Sequence, residues 1–384
     1  MSNILLLDAN FSALTIYQFL IQTGHNVTVV GGNPKDALAK CVDDYVKLDY
    51  SDIEQTRQLI EARNIDYLVP GCNDRSYMVC SEINAEGRFP GIDPHATADI
   101  IHNKGKFRKF SAKHDLPTPQ VLGQDEIGSR WPVIVKPVDA FSGRGVTIVH
   151  EDDANELTAA ISLAKSESKS STCIVEDYVT GQLYSHTAFL QGGDILVDHI
   201  VEEHGTANPF VVDTSRVVYD FPESMLASIR VNIRLMASEL NLQDGLVHTQ
   251  FISNGEKYWL IEITRRCPGD LYSQLIELST GLHYAENYAR PFIGMPFDVK
   301  NSSKRNWVMR HTVTQSIAFT LGSLTFSHPL TFIKWVPISL TGDKLRASPH
   351  GRVAVFFTAS TTSSDFDCLW NKTLSRQLYT VNGI

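Results

Sequence analysis

The sequence predicts an α/β opening followed by an α+β body, and three observations carry that reading. Apolar runs at 4–7, 26–30 and 65–69 alternate with helix-spaced segments at 13–23 and 52–63, the order expected of a parallel sheet. From residue 99 a basic helix gives way to strands at 132–136 and 146–149, a helix at 153–166 and a strand at 172–175. Beyond Gly181, strands at 184–190 and 195–203, a helix at 222–240 and two further apolar strands complete the body.

Each element brings a local reason. Gly24 and Gly31-Gly32 punctuate the first strand–helix–strand unit, and the loops Asp8-Ala-Asn10 and 71–74 fall where a parallel sheet directs its carboxyl ends toward a cleft. No GxGxxG follows the first strand, so a dinucleotide has little support. The helix at 99–114 carries Lys104, Lys106, Arg108, Lys109 and Lys113 and is stopped by Leu116-Pro-Thr-Pro119. Asn301-Ser-Ser-Lys-Arg-Asn306 reads as a connector to a final mixed portion rich in serine and threonine.

Composition excludes several classes. With 384 residues the chain exceeds one ordinary core and divides into two to four packed units. A net charge of −9 without a long Lys/Arg block argues against nucleic acid, whose affinity comes largely from phosphate neutralisation. The opening Met1-Ser-Asn-Ile-Leu-Leu-Leu-Asp8 has no basic segment and reaches an aspartate after four apolar residues, so it reads as a strand and not as a signal peptide. No apolar run is long enough to span a bilayer. Six cysteines without CxxC spacing fit reduced thiols in a cytoplasm better than disulfides or zinc.

Two segments carry chemistry. In Pro132-Val-Ile-Val-Lys-Pro137, Lys136 closes an apolar strand and precedes the small-residue loop Asp139-Ala-Phe-Ser-Gly-Arg-Gly145. A lysine there can place its ammonium on a phosphate while the N–H groups of Ser142, Gly143 and Gly145 cover the rest; without Lys136 the loop would read as a plain hairpin turn. In Tyr258-Trp-Leu-Ile-Glu-Ile-Thr-Arg-Arg266, Glu262 sits among Leu260, Ile261 and Ile263, and Gln250 precedes it by twelve residues on another apolar run. A carboxylate so placed needs a cation, and a hard divalent ion taking oxygen ligands is the simplest one.

Taken in order, these pieces resemble the ATP-grasp superfamily, specifically its carboxylate–amine ligase branch, over roughly the first 300 residues. The resemblance implies an ATP-grasp fold: a Rossmann-like parallel-sheet domain at 1–98, an ATP-grasp domain at 99–300 with a lid at about 120–185, and a C-terminal α+β portion at 301–384. It implies that Lys104 and Lys136 contact ATP phosphates together with the loop of Ser142, Gly143 and Gly145. It further implies that Glu176 accepts from the adenine amine, and that main-chain groups of Asp177, Tyr178 and Val179 meet the base edge. Gln250 and Glu262 would hold Mg²⁺, or Mn²⁺ in its place. Arg266 would act catalytically on the transferred phosphoryl or the acyl phosphate, beside substrate contacts from Asp270 and Asn73. Departures are Gln250 where many relatives have glutamate, Thr264 for the usual asparagine, and Leu183 for a ribose-binding glutamate. The expected activity is amide formation between a small carboxylate and an amine through an acyl phosphate, releasing ADP and phosphate. A carboxylase chemistry on the same fold and a nucleotide-binding module without turnover are the competing readings. Relatives are often dimers, which leaves a homodimer open. His186, His248 and His311 lack the mutual spacing of a metal site and read as satisfied polar residues.

Overall fold

The computed structural model describes residues 1–127, 130–140, 143–150, 153–299 and 304–384. It opens with a parallel sheet of β1 (Asn3–Leu7), β2 (Asn26–Gly31), β3 (Tyr45–Lys47) and β4 (Tyr67–Pro70) in the order β3-β2-β1-β4. Ile4 to Leu7 of the central strand are fully buried, as expected of a strand covered on both faces. β1 ends on Asp8, whose carboxylate accepts from the N–H groups of Asn10 (2.9 Å) and Cys72 (3.1 Å), tying the loops after β1 and β4 together.

A second, three-stranded antiparallel sheet has β5 (Val133–Pro137) between β6 (Thr147–Val149) and β7 (Cys173–Asp177). The helix Ala154–Glu167 seals it through Ala160 and Ala164 against Val133, Val135 and Val149. Ala at the contact lets helix and sheet approach closely.

The body is an eight-stranded antiparallel sheet. It draws on β8 (Gln182–Gln191), β9 (Asp194–His204), β10 (Thr214–Val218), β11 (Gly245–Ser253) and β12 (Tyr258–Thr264). After residue 304 follow β13 (Trp307–Val313), β14 (Phe319–Phe326), β15 (Phe332–Pro337), β16 (Lys344–Leu345), β17 (Ala354–Ser360) and β18 (Tyr379–Gly383). The order is β12-β11-β8-β9-β10-β13-β17-β15, with β14 joining β16 and β18 in a small sheet. The final portion of the chain thus continues the main sheet. One face packs the helix Glu223–Glu239 through Ile229, Ile233 and Met236; the other carries the helices Tyr272–Thr280 and Tyr284–Ala289.

One sequence expectation changes here. The single helix at 99–114 is two helices, His95–His102 and Lys104–Lys113. Asn103 between them is extended (φ −101°, ψ 112°), and its side chain accepts from Lys106 N–H, so it caps the second helix instead of continuing the first. A further helix, Asp74–Ile83, begins in what read as loop and is capped by Asn73. Among the described residues no helix is long and apolar enough to cross a membrane, and all six cysteines are free.

His311 on β13 is the best satisfied of the three histidines, with Thr214 Oγ1 at 2.7 Å and the Tyr379 hydroxyl at 2.7 Å; Nδ1 of both His186 and His248 has no partner among the described residues. Burial, reinforced by Arg310, pushes the His311 pKa down to about 4, against an unfolded value near 6.5. A histidine depressed in the fold is held neutral, so its contribution is complete above pH 6.5 and is lost as pH falls toward 4. Urea unfolding at pH 7 and pH 4.5 is expected to show a stability loss that His311→Gln shrinks, by up to about 3 kcal/mol. Equal pH slopes in the two proteins would contradict this assignment.

Candidate active site

The lid sheet and the main sheet meet through one chain of charges. Lys136, the penultimate residue of β5, is buried and bonds Glu176 Oε2 on β7 at 2.7 Å. The other oxygen, Oε1, accepts from Arg108 Nε at 2.6 Å, and Arg108 Nη2 reaches on to the carbonyl of Ile261 on β12 at 2.9 Å. Arg108 comes from the helix Lys104–Lys113, where the i, i+4 relation puts it on the same face as Lys104. Lys104 Nζ donates to the Ala140 carbonyl at 3.0 Å and lies 3.7 Å from Glu262 Oε1. Lys136 and Glu262, 126 positions apart in sequence, are therefore joined by Glu176, Arg108 and a single peptide unit.

The electrostatics follow. Burial raises the Glu176 pKa, but Lys136 and Arg108 outweigh it and hold the carboxyl below its usual range. Burial pushes the Lys136 ammonium down, and Glu176, which it shares with Arg108, only partly offsets this. Glu176 is fully buried with both oxygens occupied, so in place of the expected adenine contact it holds the two cations Lys136 and Arg108. Its N-terminal strand partner and the turn beyond leave less main chain for a base than expected. Asp177 N–H goes to the Gln120 carbonyl and Tyr178 N–H to the Pro132 carbonyl, while Val179 N–H is engaged by no described residue.

The lid turn needs its glycines. Gly143 and Gly145 have φ of +67° and +68°; a Cβ on Gly143 would lie 2.6 Å from Phe210 Cβ, and one on Gly145 would lie 2.9 Å from Glu167 Cβ. Ser142 lies outside the described residues.

Gln250 and Glu262 are register partners on β11 and β12, and a bulge makes them so. From the turn, Ser253 pairs Tyr258, Ile252 pairs Trp259 and Phe251 pairs Leu260; then Ile261 is skipped and Gln250 faces Glu262. Without that extra residue Glu262 would point to the opposite face. The Gln250 amide donates to Glu203 Oε2 at 2.7 Å, and its oxygen accepts from no described residue. Glu203, on β9, is buried and also accepts from Ser185 Oγ at 2.8 Å; burial, only partly offset by these donors, raises its pKa to about 7. Two oxygens side by side, one carboxylate and one amide, fit a hard divalent ion that takes its remaining ligands from phosphate and water. Among the described residues no group of three or more His, Cys, Asp or Glu side chains could hold a metal without such help.

The remaining expected residues are engaged with protein. Arg266 grips Asp74 with two bonds of 3.0 Å, and Asp74 also takes His102 Nδ1 at 3.0 Å and the Thr264 hydroxyl at 3.1 Å. Burial would raise the Asp74 pKa, but Arg266 and His102 hold it well below the usual range. The Thr264 hydroxyl is thus engaged by Asp74. Asp270 is paired with Arg310 Nη2 at 3.0 Å and accepts the N–H of Tyr272, which leaves less of it for a substrate ammonium. Asn73 caps its helix through Ser76 N–H and bonds the Tyr50 hydroxyl. It lines a cleft of about 1080 Å³ at the carboxyl ends of β1 and β2, with Asp8, Asn10, Lys47, Tyr50 and Arg75. That cleft contains none of Lys104, Lys136, Glu176 or Glu262. Arg108, Asp74 and Glu203 escaped sequence reasoning; of these only Arg108 carried a signal, its four-residue spacing from Lys104, whereas Arg310, an expected contributor to the substrate pocket, pairs with Asp270.

A lid sheet with a buried lysine, facing a sheet that carries a carboxylate–amide pair, is the arrangement of the ATP-grasp fold. Residues 129–274 match the model of the ATP-grasp domain family. It is 25% identical over 225 residues to the carbamoyl phosphate synthase large chain of Methanospirillum hungatei, covering 55% of this chain and 20% of the relative. It is 27% identical over 191 residues to the phosphoribosylamine–glycine ligase of Methanopyrus kandleri, covering 45% of this chain and 42% of the relative. The matches thus span less than half the length of either relative. The fold is similar along the whole chain to that of an L-amino acid ligase from Bacillus licheniformis, with a TM-score of 0.78, 17% identity, and 100% and 99% of the two chains covered.

Proposed function

We propose that the protein is an ATP-dependent carboxylate–amine ligase that forms an amide through an acyl phosphate, releasing ADP and phosphate. The observation that carries this reading is the continuous link from Lys136 through Glu176 and Arg108 to the strand of Glu262, with Lys104 set between the lid carbonyl of Ala140 and that same carboxylate. Two ammonium groups and a carboxylate–amide oxygen pair facing one space suit a triphosphate. Lys104 and Lys136 bind phosphate oxygens, the turn of Gly143 and Gly145 brings backbone close, and Val179 N–H donates to the base. Gln250 and Glu262 hold Mg²⁺, with Mn²⁺ as a substitute. When bound, the ion neutralises charge as the terminal phosphoryl leaves. Arg266, held in plane by Asp74, faces the carboxylate and stabilises the acyl phosphate, and the lid excludes water until the amine attacks. Alignment and charge supply the rate, so no protein nucleophile is needed.

Two measurements test the reading. Calorimetry is expected to show ATP binding that Mg²⁺ strengthens, and phosphate release is expected only when carboxylate and amine are both present in an amino-acid panel. ATP binding with no turnover on any pair would favour a silent nucleotide-binding module instead. Lys136→Met is expected to weaken ATP binding by about 100-fold, the effect of about 3 kcal/mol for a lost charge-assisted contact. Unchanged ATP affinity would remove Lys136 from the nucleotide wall.

A further inference from the structure

Gln250 departs from the glutamate expected at its position, and the reason lies one hydrogen bond away. Its amide nitrogen donates to Glu203 Oε2 at 2.7 Å, while Ser185 Oγ donates to Oε1 at 2.8 Å. Both Glu203 oxygens thus accept, one from Ser185 and one from the Gln250 amide, and an ionised Glu203 holds the Gln250 NH₂ toward β9. The amide oxygen is then left on the other side, where it accepts from no described residue, next to its register partner Glu262. Glu262 lies 3.7 Å from Lys104 and within electrostatic reach of Arg266. A glutamate at 250 would set two acids at hydrogen-bond distance in a buried place, which costs heavily unless one is neutralised.

We propose that Glu203 is a positioning residue for the cation: it orients Gln250 so that the amide oxygen faces the ion beside Glu262. The acid and the amide of this pair can exchange places, but two ionised acids cannot occupy both positions. The inference rests on the ligase reading only for the presence of a metal–nucleotide complex at Gln250 and Glu262.

The test measures ADP affinity by calorimetry with and without Mn²⁺, taking the ratio as the cation's contribution, beside thermal melting of each protein. In the wild type Mn²⁺ is expected to tighten ADP, and Glu262→Gln to remove that gain. Glu203→Met, whose thioether accepts far more weakly than a carboxylate, is expected to reduce the gain by about 10-fold, the usual cost of losing a group that orients a metal ligand. Gln250→Glu alone is expected to lose the gain or to melt early. The exchanged protein, Glu203→Gln with Gln250→Glu, is expected to recover the gain to within about threefold.

A full Mn²⁺ gain in Glu203→Met would overturn the proposal, as would an exchanged protein no better than Gln250→Glu. Should Glu203→Met fail to fold, the comparison of the exchanged protein with Gln250→Glu decides alone. A wild type indifferent to Mn²⁺ would remove the metal site and this inference together. A wild-type gain that Glu262→Gln removes and Glu203→Met leaves intact would sink the inference while sparing the site.

Discussion

Glu262→Gln is expected to lower ATP-dependent phosphate release by about 10³-fold, the scale set by removing a group aimed at charge in a transition state. Glu262 is the one carboxylate of the register pair with Gln250, and the substitution leaves two neutral amides where a divalent ion is to sit. Among the described residues the nearby acids are engaged elsewhere. Glu203 is turned to Ser185 and Gln250, and Asp74 is held by Arg266 and His102. The same variant should bind ATP without Mg²⁺ within about threefold of the wild type, because Lys104 loses only a 3.7 Å ion pair that is partly screened by solvent. Continuous phosphate assay and calorimetry check the two halves. Turnover within a few-fold of the wild type would contradict the metal assignment.

Arg265→Met is expected to destabilise the fold by about 3–5 kcal/mol, which for a protein of this size lowers the melting temperature by about 4–6 °C. Arg265 is buried, its Nε 2.7 Å from Asp93 and its two terminal nitrogens on the carbonyls of Leu246 (2.7 Å) and Gln243 (2.5 Å). Removing it leaves the buried Asp93 charge to Tyr77 and Gln243 N–H alone and frees two carbonyls at the junction between the loop after the first sheet and β11. The adjacent Arg266 is bound to Asp74 at the active-site wall, so neighbouring arginines are expected to separate cleanly, one lowering stability and the other turnover. Pairing Arg265→Met with Asp93→Leu should recover part of the loss, since replacing both ions by apolar groups removes the stranded charge. Urea unfolding of the single and double variants checks this, and a double variant no more stable than the single would contradict it.

Much of the architecture was readable because burial writes directly into composition. β1, β2 and β4 are apolar runs, and Lys136 and Glu262 each interrupt such a run with a charge that only a partner explains. Contacts made by tertiary approach left no trace. Arg266 and Asp74 are separated by 192 positions, and Gln250 and Glu203 by 47, with no pattern linking either pair. The bulge at Ile261 is equally silent, since strand alternation read without it would put Glu262 on the wrong face. The helix break at Asn103 was missed because a basic helix face looked continuous through a residue that is equally a cap. The serine- and threonine-rich tail looked separate because its strands are short of the alternation that marks β8 and β9, although β13 completes the same sheet by pairing β10.

The central claim is that Lys104, Lys136 and the Gln250–Glu262 pair address one triphosphate. A crystal structure with Mg²⁺ and a non-hydrolysable ATP analogue tests it most directly. The account expects both lysine ammonium groups about 3 Å from phosphate oxygens, and Glu262 and Gln250 oxygens about 2.1 Å from the ion. A nucleotide seated in the cleft of Asp8, Asn73 and Arg75, with Lys136 still bound only to Glu176, would contradict it.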